Sequence, residues 1–184
     1  MILKLLSEMK LRFGKDLDKE LHQWMKGMED KILTMIKLKC KDGFISKIFA
    51  EIECEIDEST KKDATLNGAI LMLPRLFKES VEALVTFDNT SMLNTPTIAI
   101  PQGQKLTSKF CCVIIDGQEI VEHHNDVDIS LGMACIFASY FVYNIKYPVQ
   151  LKNTLLFYEH IIFGVSNKEI PVTYRRLANT LYEV

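Results

Sequence analysis

The sequence predicts an α+β fold, in which a small, mostly antiparallel sheet at about residues 81–123 is covered by N-terminal and C-terminal helices. Three observations carry this reading. Apolar residues recur at steps of three and four on both sides of that window, which is the helical period. Within the window the period falls to two. Finally, Phe110-Cys111-Cys112-Val113-Ile114-Ile115, Asp116-Gly117 and Gln118-Glu119-Ile120-Val121-Glu122 spell two strands joined by a two-residue turn. The chain has 184 residues, enough for a buried core, with no Gly/Ser-rich linker, internal repeat or low-complexity stretch, so 1–184 is read as a single domain.

The first element is a long amphipathic N-terminal helix over 14–39. Leu17, Leu21, Trp24, Met25, Met28, Ile32, Met35 and Ile36 line one side, with Lys15, Lys19, Lys26 and Lys31 off the stripe. Such a stripe covers a core or forms a short coiled-coil seam with another chain, and Lys31 at a seam position favours the core. After Lys41-Asp42-Gly43, the residues Ala50, Ile52, Cys54 and Ile56 alternate with Glu51, Glu53, Glu55 and Asp57 as in a half-buried strand. A helix explains more of the apolar positions, places Asp42 at its cap and avoids four acids on one strand face, so a helix is favoured. Thr60 and Asp63 are spaced as a capping box for the next helix, which carries Leu66, Ala69, Ile70, Leu73, Leu76 and Phe77 and is kinked or ended by Pro74.

Val81, Ala83, Val85 and Phe87 share one face of an expected strand, and Thr97 to Ile100 form a short extended piece. The run from Phe110 to Ile115 is apolar on both sides, which predicts a central strand covered on both faces, with Gln118 to Glu122 nearer an edge. Asp126 or Asp128 caps a strongly apolar helix over 127–145, Pro148 opens another over 148–163, and Gly164 stops it. A last helix opens at Pro171 and uses Tyr174, Leu177, Ala178 and Leu181.

Composition narrows function by exclusion. A formal charge of −2, 48% apolar and 25% charged residues describe a globular chain and argue against disorder and an obligatory nucleic-acid partner. Charge is uneven along the chain: residues 1–41 hold ten Lys or Arg against six Asp or Glu, and 48–60 hold five acids and no base. Five scattered cysteines, an odd number, argue against a disulfide framework and for a reducing, intracellular location in cytoplasm or nucleus. The start lacks the pattern of a secretory signal. Leu131 to Tyr143 is too short for a membrane span, which needs about 20 residues, and reads as a core helix.

Candidate chemistry is sparse. His123-His124 with Asp126 and Asp128 is the densest set of ligand or proton-carrying side chains, but adjacent strand residues point to opposite faces and cannot easily chelate one ion. Cys111-Cys112 meets the same objection, with one sulfur expected in each covering layer. There is no Gly-x-Ser-x-Gly elbow and no phosphate-binding glycine loop. Arg175-Arg176, near Lys168, forms a small basic cluster able to touch phosphate and more often simply solvated.

The segments Leu73-Pro74-Arg75-Leu76-Phe77-Lys78-Glu79, Thr95-Pro96-Thr97-Ile98-Ala99-Ile100, the hairpin, Ala138 through Pro148, and Leu151 through His160 occur in an order and spacing that resemble a known family. Residues 62–163 resemble the C-terminal domain of vertebrate, mainly fish, proteins that carry a sterile alpha motif domain or a PB1 domain upstream. The most specific piece is Tyr143-Asn144-Ile145-Lys146-Tyr147-Pro148 leading into Leu151-Lys152-Asn153-Thr154. The resemblance implies a non-enzymatic domain and supplies no catalytic residues. Residues 1–41 are too short for either upstream domain, so a shortened relative or part of a longer product is expected.

The resulting expectation is a non-enzymatic intracellular protein-interaction or scaffold module, regulatory in one version of the reading. It meets a protein partner or a second copy through Leu21, Trp24, Met25, Met28 and Met35, and needs no cofactor or metal. The alternatives are an enzyme using His123, His124, Asp126 and Asp128, and weak nucleic-acid binding through Arg175 and Arg176.

Overall fold

A computed structural model describes residues 2–87, 94–101, 103, 106–121, 126–164 and 172–182. Helix α1 (Ile2–Phe13) precedes the expected N-terminal helix and was not among the expected elements. Leu5 and Met9, one turn apart, are buried, and Gly14 ends the helix at φ 67°, donating its amide to the Lys10 carbonyl. α1 lies along α5 (Ile129–Val142), and the chain turns into α2 (Leu17–Lys39), so the predicted 14–39 helix starts three residues late.

α2 is a core helix. Leu17, Leu21, Met25, Ile32, Leu33, Met35 and Ile36 are buried, Trp24 and Met28 are half-buried against the same core, and α4, α5, α6 and α7 all pack on the helix. Of the residues expected to meet a partner, Leu21, Met25 and Met35 face the chain's own interior, because α4 (Glu58–Leu76) and α6 (Lys152–Phe163) bring apolar sides of their own that need covering.

α3 (Gly43–Cys54) is the helix that was favoured over a strand, capped by the Asp42 carboxylate, which accepts from the Ile45 amide at 2.9 Å. The cap of α4 is corrected to Asp57, which accepts from the Thr60 amide and hydroxyl at 2.8 and 2.9 Å, so Thr60 lies inside the helix. α4 is buried almost continuously from Leu66 to Pro74 and runs through the core. At Gly68 it comes so near α3 that a β-carbon would lie 2.8 Å from Ile52 Cδ1. Pro74 sits in the last turn, and the helix ends two residues later. There the Glu79 amide reaches back to the Pro74 carbonyl and the Lys78 amide to the Arg75 carbonyl, with Lys78 left-handed at φ 60°.

The sheet has four strands in the order β1 (Val85–Thr86), β2 (Thr97–Ala99), β3 (Cys112–Ile115) and β4 (Gln118–Val121). β1 pairs parallel with β2, and the other two pairings are antiparallel. The expected strand from Val81 is corrected: Val81–Ala83 is a turn of 3₁₀ helix, whose buried Val81 and Ala83 mimic strand alternation. The hairpin is as expected, with Asp116 and Gly117 both at positive φ (54° and 73°), the type I′ turn that matches strand twist. β3 is central and β4 an edge strand. Ile98, Ile100, Cys111 and Val113 join the main core beneath α5, while Ala99, Cys112 and Ile114 form a separate cluster on the opposite face. The two adjacent cysteines thus enter different layers.

Asp128, not Asp126, caps α5 by accepting from the Leu131 amide at 2.7 Å. α5 is buried on nearly every side, as expected of a helix apolar all round. A 3₁₀ turn (Val149–Leu151) after Pro148 leads into α6, and Gly164 at φ 79° ends it. α7 (Val172–Tyr182) docks through Leu177 and Leu181, and Lys31 donates to the Leu181 carbonyl. Tyr158, Phe137 and Phe157 are the bulkiest fully buried side chains, each stabilising by roughly 1.5–3 kcal/mol, so α5 and α6 carry much of the core.

Candidate functional site

The residues singled out for chemistry are described only in part. His123, His124 and Lys168 lie outside the described residues. Asp128 is engaged as a helix cap and Asp126 is exposed at φ 52°. Among the described residues no group of three or more His, Cys, Asp or Glu side chains is placed to hold a metal ion. Burial pushes the thiols of Cys111 and Cys135 up to about 12, with Asp128 and Asp18 respectively adding to the effect. Cys112 rises to about 11, from burial and from Glu119, so all three behave as small apolar side chains. Arg175 and Arg176 are exposed on α7.

Among the described residues, two depressions offer room for a ligand. A polar one of about 560 Å³, between α2 and the start of α4, is lined by Lys26, Glu29, Lys61, Lys62 and Asp63, whose opposite charges offset one another. Burial, and then Asp30, raise the carboxyl of Glu29 above the usual range.

The second depression has more definite chemistry. It is a groove of about 430 Å³ where α5 gives way to α6, lined by Tyr140, Phe141, Ile145, Tyr147, Lys152 and Leu156, with Asn144 and Lys146 at its margin. Its shape starts with local turn chemistry. Asn144 takes a left-handed conformation at φ 52°, the Ile145 amide donates to the Tyr140 carbonyl and the Asn144 amide to the Phe141 carbonyl, which closes the end of α5. The chain then doubles back, so that Tyr147 meets Tyr140 edge to face, with ring centres 5.2 Å apart at 82°. The Tyr147 hydroxyl donates to the buried Glu159 carboxylate on α6 at 3.0 Å.

The far side of the groove is held by a second carboxylate. Glu79, buried just beyond α4, accepts from the amides of Asn153 and Thr154 and from the Thr154 hydroxyl, at 2.6, 2.9 and 2.7 Å. Negative charge at a helix N-terminus is favourable, and this contact ties the start of α6, with Lys152, to the end of α4. Next to the groove Phe13, Phe141 and Phe163 form a ring cluster with centres 4.8–5.5 Å apart, in which Phe13 stays 42% exposed. Tyr143 is 48% exposed on the same helix end.

Electrostatically the groove is neutral inside and positive at its margin. Burial raises the Tyr140 phenol, while the Thr95 side chain pulls the other way. Burial and the Glu159 carboxylate raise that of Tyr147, so both rings are uncharged at neutral pH. Lys146 and Lys152 are exposed. This arrangement sets an apolar recess beside two exposed ammonium groups.

None of the groove's residues was among the candidates read from sequence. The usable signal was the run Tyr143 to Pro148, which places a left-handed asparagine and a pre-proline tyrosine between two apolar helices. No family model, curated protein or solved structure matches the chain.

Proposed function

We propose that the chain is a non-enzymatic intracellular protein-interaction module whose contact surface is the groove between α5 and α6 rather than the stripe on α2. The observation that carries the reading is the combination of an apolar pocket, walled by Tyr140, Tyr147, Ile145 and Leu156, with the exposed cations Lys146 and Lys152 beside it. Binding sites between packed helices are concave and mostly apolar, with a few polar groups setting orientation. The complementary partner is an exposed polypeptide segment with one large aliphatic side chain between carboxylates. The aliphatic group supplies affinity by leaving water, and the carboxylates meet the lysines and fix direction. The resemblance of residues 62–163 to a domain that accompanies interaction modules points the same way.

The test uses a fluorescein-labelled peptide with a central isoleucine flanked by aspartates and glutamates, and a control with lysines in the flanks. The acidic peptide is expected to bind, to weaken with added salt, and to lose binding in the Lys146→Glu/Lys152→Glu chain. Equal binding of both peptides, or none by either, removes the reading.

A further inference from the structure

From the groove and one exposed corner of the same molecule, we infer that a second copy of this chain is the partner, seating Ile56 between Tyr140, Tyr147 and Leu156 with its acidic neighbours against Lys146 and Lys152. This inference rests on the groove being an interaction site.

Ile56 is 99% exposed, in the short connection between α3 and α4. Single exposed apolar residues are ordinary, and this one is set apart by what surrounds it. Glu55 and Asp57 on either side have extended backbone, with φ −74° and −72°, so the corner projects as a blunt point. Residues 48–60 hold five acids and no base, the reverse of the groove's margin. Lys62 pairs with Glu58 at 2.9 Å and partly neutralises it, and Glu53 and Asp57 are among the acids that supply the negative field. The hydrogen bonds that Asp57 accepts from Thr60 hold its carboxyl below the usual range, keeping it charged.

Position makes the contact intermolecular. Ile56 precedes the first turn of α4, whereas the groove lies by Glu79, beyond its last turn. Nineteen helical residues separate them by about 28 Å. A chain therefore cannot fill its own groove, and each copy offers one point and one groove on different surfaces. That is a heterologous contact, which propagates unless it closes into a ring.

The experiment is sedimentation velocity across a concentration series up to millimolar, on the parent chain, on Ile56→Asp and on Lys146→Glu/Lys152→Glu. The expected result is a mass that rises with concentration for the parent and stays monomeric for each variant, the affinity falling roughly tenfold or more. Mixing the two variants restores one intact point and one intact groove, and should give a complex of two chains and nothing larger. All three substituted side chains lie on the surface; circular dichroism verifies the fold, and Ile56→Ser repeats the test without a new charge. A parent that is monomeric throughout, an Ile56→Asp chain that associates like the parent, or a mixture that stays monomeric overturns the inference. If the parent is monomeric yet the acidic peptide still binds, the second copy is excluded and the groove stands; if the peptide also fails, both fall.

Discussion

Replacing Glu79 tests the contact on which the groove's geometry depends. Glu79 is 8% exposed, and its carboxylate accepts three hydrogen bonds from the first turn of α6, two of them at one oxygen. A hydrogen bond to a charged group contributes about 1.5–3 kcal/mol net, and an anion at a helix N-terminus about 0.3–2 kcal/mol more. These effects overlap and do not add in full. Glu79→Gln keeps one carbonyl oxygen, loses the charge and turns an amide nitrogen toward donors, for an expected loss of about 2–3 kcal/mol. Glu79→Ala leaves two amides and a hydroxyl of α6 without that acceptor, and about 3–5 kcal/mol is expected, a large part of the 5–15 kcal/mol that holds a typical domain together.

Urea unfolding followed by circular dichroism gives both numbers. A double-mutant cycle with Thr154→Val isolates the hydroxyl contact, with a coupling of about 0.5–3 kcal/mol expected. If Glu79→Gln changes stability by less than about 0.5 kcal/mol, the range of ordinary surface substitutions, the carboxylate does not cap α6 and the account of the groove's far wall is wrong.

Gly68→Ala should destabilise by about 1–3 kcal/mol despite alanine's better helix propensity, because its β-carbon meets Ile52 Cδ1 at 2.8 Å; adding Ile52→Val removes that methyl and should recover most of the loss in thermal melts. Lys78→Gly should stabilise by about 0.5–1 kcal/mol, since φ 60° costs a lysine energy and a glycine little; an unchanged urea midpoint would contradict this. The thiols give a pH dependence. In the fold Cys111 and Cys135 hold their protons to about 12 and Cys112 to about 11, whereas the ordinary value is 9.0. Above about pH 9 the unfolded chain therefore binds fewer protons than the folded one, so stability is full below that pH and declines as pH rises toward 11–12. Urea midpoints between pH 8 and 10.5 should fall less steeply for Cys111→Ala/Cys112→Ala/Cys135→Ala than for the parent.

Where a local rule had one physical solution, sequence and structure agree. Asp116-Gly117 demands a tight hairpin, Asp42 caps α3, and the burial of α5 follows from apolar residues on every side. Disagreement came where two local solutions compete. Thr60 and Asp63 satisfy a capping box, but Asp57 lies three residues before Thr60 and offers a carboxylate to the same stretch of backbone. Val81, Ala83 and Val85 alternate as a strand would, yet Arg75 pairs with Glu82 and the Ser80 hydroxyl donates to it, drawing the chain into a turn before β1 begins. α1 is short, and among its described side chains Leu5 and Met9 are the buried ones, a weak periodic signal over three turns.

The site was harder to read for a different reason. A stripe at helical spacing looks the same whether it meets another chain or the domain's own interior, and what decides the matter for α2 is distant in sequence: Phe157 against Trp24, and the Tyr158 hydroxyl against the Met25 sulfur. The groove has the opposite character. The elements around it are tied by bonds spanning 12 residues, from Tyr147 to Glu159, and 75 residues, from Glu79 to Thr154. Both bonds end on a carboxylate that burial makes costly to leave unpaired, so each holds one geometry rather than a range of them. The two buried carboxylates fix α6 against the α5–α6 connection and against the end of α4, and a preorganised cleft costs a partner less ordering entropy to enter than one that must first be formed.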